Sequence, residues 1–295
     1  MARLTRMGSM PFDESAARAL VLGSGGIAGA AWLAGVLAGL SEGGANVADA
    51  DRIIGTSAGA LVGARLALGT SPAEIASGIA GTPPIPGGRL RVTTSVRLLL
   101  AQVAPSRRHA LVWLGRAAVR SRSMTEEAWV SAVGAGLADR DWPERLWVVA
   151  VDARSGRPAY FDSASRVPLD RAVAASCAVP GVFPPVAIHG RPTIDGGLRS
   201  PANADLARGF GRVLVIAPLY RSARAPRRPS AQVAALAPQS RTALIVPQMS
   251  LGLDALDPRR SAQAAGAGRA QGLSLAAEVG RMWRPEDTGP TDVVS

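Results

Sequence analysis

The sequence predicts an α/β fold, with a mainly parallel sheet and helices on both of its faces. Three observations predict it. Short apolar runs of strand length recur along the chain, at 18–23, 51–54, 145–152, 158–162 and 212–219. Stretches with apolar residues at helical spacing lie between most of them. Glycine- and proline-rich turns separate one kind of segment from the next.

Residues 1–17 read as a leader, and Asp13, Glu14 and Arg18 interrupt any signal-like apolar run there. RALVLG (18–23) reads as a short buried strand ending at a glycine loop. The helix that follows carries Ile27, Ala30, Leu33, Leu37 and Leu40 on one period and stops at Gly43–Gly44. DRII (51–54) is a second strand, and a helix runs on from Ala58 to about Leu68, closed by Gly69. SPAE (71–74) is a capping box with proline at the first helical position. GTPPIPGG (81–88) then breaks the chain.

Residues 89–122 read as two helices that part near Pro105, and Thr125 caps another, with Glu126 and Glu127 at its positive end. RLWVVAVD (145–152) and PAYFD (158–162) are strands, PLDRAVAASCA (168–178) a helix, and VPGVFPPV (179–186) a rigid loop. RVLVIAPL (212–219) is the last buried strand this pattern gives. Beyond Tyr220 the chain turns rich in Arg, Ala and Pro, which predicts helices packed outside the sheet and a disordered end from about Pro285. The division expected is one α/β domain over 18–220, containing a basic helical segment at 75–125, and a helical extension over 221–295.

At 295 residues and 47% hydrophobic, the chain is long enough for one large core. All 33 basic residues are arginine, and the net charge of +11 favours anionic partners. A single cysteine, Cys177, excludes an internal disulfide and any multi-cysteine zinc site. No run of ~18 residues is apolar throughout, so a cytoplasmic protein, in contact with a membrane surface at most, is the expectation. No recognisable nucleic-acid-binding module is present.

Three short segments carry candidate chemistry. GTSAG (55–59) matches G-x-S-x-G, and it has the strand before it and the helix after it that a nucleophile elbow requires. Gly55 and Gly59 permit the tight turn that lifts the Ser57 hydroxyl above the sheet edge; the plain alternative is a turn serine. GSGGIAG (23–29) joins the first strand to the first helix. A dinucleotide loop fails there on spacing, because Ala28 stands where the last glycine of G-x-G-x-x-G belongs. Backbone N–H groups at such a helix start suit a tetrahedral oxyanion. IDGGLRSPANADLA (194–207) places Asp195 before two glycines, which alone reads as a turn.

Together, and in this order, the glycine loop, the elbow, RAVAASCAVPGVFPPV (171–186) and D-G-G followed by PANADLA resemble the patatin-like phospholipase family over about residues 18–220. The resemblance implies a patatin-like three-layer fold, a Ser–Asp dyad and hydrolysis of fatty-acyl esters of lipids or phospholipids. Carried over by position, Ser57 is the nucleophile and Asp195 its general base. Gly25 and Gly26 give oxyanion donors, with Ile27 as a third. No metal or other cofactor is implied. Two departures stand out: Ser24 replaces the first glycine of the family's loop, and Ala28 replaces its arginine.

Alternatives stay open at this level. Ser57, Asp152 and His189 fall in the chain order of a conventional esterase triad, although His189 also reads as an exposed turn residue. A non-catalytic lipid-binding or scaffold protein of the same fold is the alternative outside enzymes. His109 reads as solvated, Cys177 as a buried and inert helix residue, and Arg199 and Asp205 as structural. Between Ile75 and Thr125 there are eight arginines and no acid, interleaved with Leu98, Leu99, Leu100, Leu111, Trp113 and Leu114. That pattern fits either solvated amphipathic helices or an interfacial cap that meets anionic lipid.

Overall fold

The computed structural model describes residues 17–81, 94, 100, 104–119, 124–248 and 256–284. The leader at 1–16, most of the first half of the basic segment and the tail from 285 lie outside the described residues.

Apolar runs at the expected places form strands of one sheet. β1 (Arg18–Leu22) lies at its centre, flanked in parallel by β2 (Arg52–Thr56) and by β7 (Arg212–Ile216). β3 (Leu146–Asp152) adds in parallel to β2. β4 (Pro158–Phe161), β5 (Val186–Ile188) and β6 (Arg191–Asp195) are antiparallel additions, giving the path β5-β6-β3-β2-β1-β7-β8 with β4 beside β3. β8 (Arg241–Ile245), parallel to β7, is a further strand beyond Tyr220, where the sequence reading expected only helices. RTALI is an edge strand and largely half-exposed, so it lacks the continuous apolar run that marks a central parallel strand.

Side chains alternate between the two faces, as the strand period demands. Leu20, Leu22, Ile53, Leu214 and Ile216 enter the larger core, under α1 (Gly26–Glu42), α2 (Ala58–Ala67), α3 (Pro72–Ala80), α5 (Glu126–Val133), α6 (Leu169–Ser176) and α8 (Ser261–Trp283). Ala19, Val21, Ile54, Val213 and Val215 face the other way, against the 202–207 segment and α7 (Pro229–Leu236). α4 (Arg107–Val119) covers the β3–β6 end with Leu111 and Ala118. The capping box forms at α3, where Ser71 Oγ accepts the Glu74 N–H at 3.3 Å and Glu74 Oε2 accepts the Ser71 N–H at 3.0 Å. Thr125 likewise caps α5 by accepting the Ala128 N–H at 3.2 Å.

α1 is buried from Ala28 to Leu40 because α8 lies across it. Side chains added at Gly35 or Gly39 would strike the α8 backbone, and at Gly268 or Gly272 the α1 backbone. The segment after Tyr220 thus supplies both a strand of the sheet and the outer partner of its central helix.

The register of β3 positions the site. Val148 and Val149 pair with β2 and with β4, so those two strands occupy opposite edges of β3. Ala150 and Val151 pair with β4 and with β6, which puts β6 on the same edge as β2. Thr56 ends β2 opposite Val149, and Asp195 ends β6 opposite Ala150. Two strands therefore run toward each other along one edge of β3 and meet at their C-terminal tips. Ser57 is the next residue after one tip, and Asp195 is the other.

Candidate active site

Ser57 stands between β2 and α2 with φ 52° and ψ −119°, a strained conformation for a residue with a side chain. The surroundings hold it there. Its N–H donates to Ser176 Oγ at 2.8 Å, and that hydroxyl in turn donates to the Val149 carbonyl at 2.6 Å. Its carbonyl accepts the N–H groups of Ala60 and Leu61 at 2.8 and 3.2 Å. Gly59 donates to the Gly23 carbonyl at 3.1 Å, and a side chain at Gly59 would fall on the Leu22 carbonyl. Gly55 and Gly59 bracket the turn as the motif requires.

Ser57 Oγ donates to Asp195 Oδ2 at 2.7 Å. The other carboxylate oxygen accepts the Gly197 N–H at 2.7 Å, and the Asp195 N–H is fixed on the Ala178 carbonyl at 3.0 Å. Both side chains are buried, with Ser57 6% and Asp195 5% exposed. Burial pushes the Asp195 carboxyl up to about 6, against the opposing pull of the Ser57 and Gly197 hydrogen bonds. Among the described residues no cation contributes to that shift.

The glycine loop is anchored beside this pair. Gly23 N–H donates to the Ile216 carbonyl at 2.9 Å, Ser24 N–H to the Pro201 carbonyl at 2.7 Å, and Leu219 N–H to the Ser24 carbonyl at 3.1 Å. Gly25 is the N-cap of α1, and Gly26 starts the helix at φ 61°, a conformation that favours glycine. Among the described residues no acceptor takes the N–H groups of Gly25, Gly26 or Ile27. A helix start with open donors favours negative charge.

Residues that sequence reasoning left out complete the frame. Asn203 is fully buried and donates to Thr56 Oγ1 at 3.0 Å, to the Ser200 carbonyl at 3.0 Å and to the Gly196 carbonyl at 3.3 Å. One amide thereby ties the residue before Ser57 to the residue after Asp195. Arg199 donates to Asn203 Oδ1 at 2.6 Å and is paired with Asp205, so these two charges support the site, in keeping with their structural reading. PANADLA held the signal for Asn203, but its partner Thr56 is 147 residues away.

Cys177 departs from its expected place. α6 ends at Ser176, so Cys177 is the half-buried C-cap and not an interior helix residue. Desolvation of the thiol, together with the Asp195 charge, pushes it well above the usual range. It stands near Ser57 and Asp195 as a thiol and not as a thiolate.

The structure does not bring His189 to Ser57. His189 is exposed in the β5–β6 turn at φ 49°, with Nε2 3.2 Å from the Ser165 carbonyl. Even Arg191, at the far end of β6, is roughly 13 Å from Asp195 at the usual strand rise. Asp152 is engaged elsewhere, by Arg191 Nε at 2.5 Å and by the Arg154 and Ser155 N–H groups at 2.9 and 2.7 Å. His109 is exposed on α4. Among the described residues no group of three or more His, Cys, Asp and Glu could hold a metal ion.

Comparison with known proteins adds to this geometry. The crystal structure of VipD from Legionella pneumophila matches with TM-score 0.46 and 13% identity, covering 89% of this chain and 67% of that one. The type III effector protein ExoU matches with TM-score 0.44 and 14% identity over 90% of this chain and 53% of that one. Uncharacterized NTE family proteins of Mycobacterium bovis and Mycobacterium tuberculosis are 31% identical over 199 residues, which is 68% of this chain. The chain spans about half the length of these curated relatives, which are covered over 48%. The family model described as patatin-like phospholipase matches residues 20–208, from β1 through the Asp-Gly-Gly turn and past Asn203. This chain belongs to the patatin-like phospholipase family.

Proposed function

We propose that the protein is a serine carboxylic-ester hydrolase that cleaves fatty-acyl esters of lipids or phospholipids through a Ser57–Asp195 dyad. The observation that carries the reading is the 2.7 Å hydrogen bond from the Ser57 hydroxyl to a buried carboxylate that no cation among the described residues neutralises. A carboxyl pushed up to about 6 is ionised at neutral pH yet more basic than an ordinary aspartate. Asp195 takes the Ser57 proton as Oγ bonds to the ester carbonyl carbon, and the N–H groups of Gly25, Gly26 and Ile27 hold the oxyanion. Asp195 then returns the proton to the departing alcohol. Water, activated by the same carboxylate, releases the fatty acid. In this reading residues 18–220 are the catalytic unit.

The reading is tested with a fluorophosphonate probe and a panel of acyl esters on purified protein. Label on Ser57, lost in Ser57→Ala together with ester hydrolysis, is the expected result. A folded protein that takes no label and hydrolyses no ester is instead a lipid-binding protein of this fold.

A second observation favours an anionic lipid surface as partner, with peripheral membrane association. On α4, Trp113 is 45% exposed and shares its outward face with exposed Arg116 and His109, with no acid on that helix. No helix among the described residues is long and apolar enough to cross a membrane. Trp113→Ala with Arg116→Gln is expected to weaken binding to phosphatidylglycerol vesicles, most strongly at low salt, and to spare hydrolysis of a short soluble ester. Unchanged vesicle binding leaves α4 a solvated face.

A further inference from the structure

Ser24 is fixed by its backbone and idle in its side chain. Its N–H is held by the Pro201 carbonyl at 2.7 Å and its carbonyl by the Leu219 N–H at 3.1 Å. The residue is 5% exposed, yet its hydroxyl has no hydrogen-bond partner among the described residues. Buried hydroxyls are nearly always paired, so an orphaned one calls for an explanation.

The surroundings of the hydroxyl indicate what it serves. A side chain begun at Gly197 would run into Ser24 Oγ and would lie 2.9 Å from Asp195 Oδ1. Both oxygens therefore crowd the same side of the Asp-Gly-Gly turn. The open N–H groups of the oxyanion loop belong to the next three residues, at the tip of α1. Ser24 Oγ thus lies on the Oδ1 side of the Asp195 carboxylate.

We propose that Ser24 positions the water that Asp195 activates in the second half of the reaction. This rests on the dyad reading above. In the free enzyme Asp195 Oδ2 accepts the Ser57 hydroxyl. Once Ser57 Oγ carries the acyl group it has no proton to donate, and the carboxylate is open to a water. One O–H of that water donates to Asp195 and the other to Ser24 Oγ, which aims an oxygen lone pair at the acyl carbon. The first proton passes to Asp195 as the water oxygen bonds to the carbonyl carbon and the π pair moves onto the carbonyl oxygen. Collapse breaks the bond from carbon to Ser57 Oγ, Oγ recovers the proton from Asp195, and the carboxylic acid leaves. A glycine at this position lacks the second acceptor, so this chain holds a device that the family's usual loop does without.

The test separates the two half-reactions with p-nitrophenyl butyrate in rapid mixing, using Ser24→Ala and Ser24→Gly. Neither substitution removes a hydrogen bond that the free enzyme makes, so both variants keep the loop. Acylation, read from the p-nitrophenol burst, is expected to stay within about twofold. Decay of the pre-formed butyryl-enzyme is expected to slow by about tenfold, the effect of one net hydrogen bond. An equal fall in both rates overturns the proposal, and so does an unchanged decay. A Ser57→Ala variant that still turns over removes the dyad reading and this one together. A wild-type enzyme that forms the butyryl-enzyme, beside Ser24 variants that lose it at the same rate, removes this one alone.

Discussion

Asp195 and Asp152 occupy diagonal positions on one face of the β3–β6 ladder, since Asp195 pairs with Ala150 and Asp152 with Thr193. Both are buried, at 5% and 8% exposure. Burial pushes each carboxyl up. At Asp152 that push is overcome by the hydrogen bond and charge of Arg191 and by the Ser155 donors, and its pKa lies below the ordinary value. At Asp195 two neutral donors oppose burial and no cation among the described residues helps, so the carboxyl is left at about 6. Two identical side chains on one ladder are thus sorted by their partners. One closes the β3–β4 turn, and the other is left basic beside a hydroxyl.

The largest effect expected from this contrast is on turnover. Asp195→Asn keeps the shape and the Gly197 contact but cannot take the Ser57 proton, so ester hydrolysis is expected to fall by roughly 10³-fold or more. Near-normal hydrolysis by the folded variant would remove Asp195 as the base. In the wild type, kcat/KM is expected to rise with pH through about 6 and then level, because only the ionised carboxylate accepts the proton. An acid limb that stays near the ordinary 3.8 would assign the essential base elsewhere.

The two carboxylates are expected to act on stability with opposite signs. Asp195 binds its proton more tightly in the folded state, so its contribution falls as pH rises from about 4 to about 6. Asp195→Asn removes that cost and is expected to stabilise the protein at pH 7 by up to about 3 kcal/mol. The gain should vanish below about pH 4, where the wild-type carboxyl is protonated in both states. Asp152 is the reverse case: its lowered pKa stabilises the fold above the ordinary 3.8, and this is lost as pH falls through the folded value. Asp152→Ala is expected to cost roughly 1–3 kcal/mol at pH 7, because the turn donors and Arg191 lose their acceptor. Activity per folded molecule should change little. Denaturant unfolding of both variants at pH 4 and pH 7 checks the pair, and gaps that move in the same direction would break the contrast.

The parts of this site that were legible in the sequence are those that carry a local backbone signature. Ser57 lies between glycines on a strand-to-helix turn, and Asp195 precedes its own glycine turn, so each is visible within a few residues. Ser176 and Asn203 act across 119 and 147 residues on backbone and hydroxyl partners, and nothing near them in the chain announces those contacts. Cys177 was misplaced because its alanine-rich neighbourhood continues the helical pattern after the helix has ended. The same division holds for the fold. The central parallel strands are continuous apolar runs, whereas β8 is a half-exposed edge. α8 meets α1 through glycines, where backbones touch and no apolar stripe is needed.

The smallest effect expected is the one that closes the triad alternative. That reading needs His189 between Ser57 and Asp152, and the ladder forbids it on both sides. Ser57 already donates to Asp195, and Asp152 already accepts from Arg191, Arg154 and Ser155. His189 lies beyond Arg191 in an exposed turn, where its ring meets only the Ser165 carbonyl among the described residues. A left-handed φ of 49° at a non-glycine residue is strain that a smaller side chain does not relieve, so His189→Ala is stability-neutral to within about 0.5 kcal/mol. Its kcat/KM for a short ester is expected to lie within about twofold of wild type, since no proton in the reaction passes near it. His189→Gly suits the left-handed turn better and should be slightly more stable, with the same turnover. A dead but folded His189→Ala, beside an active Asp195→Asn, would exchange the roles of the two aspartates and return the base to a histidine.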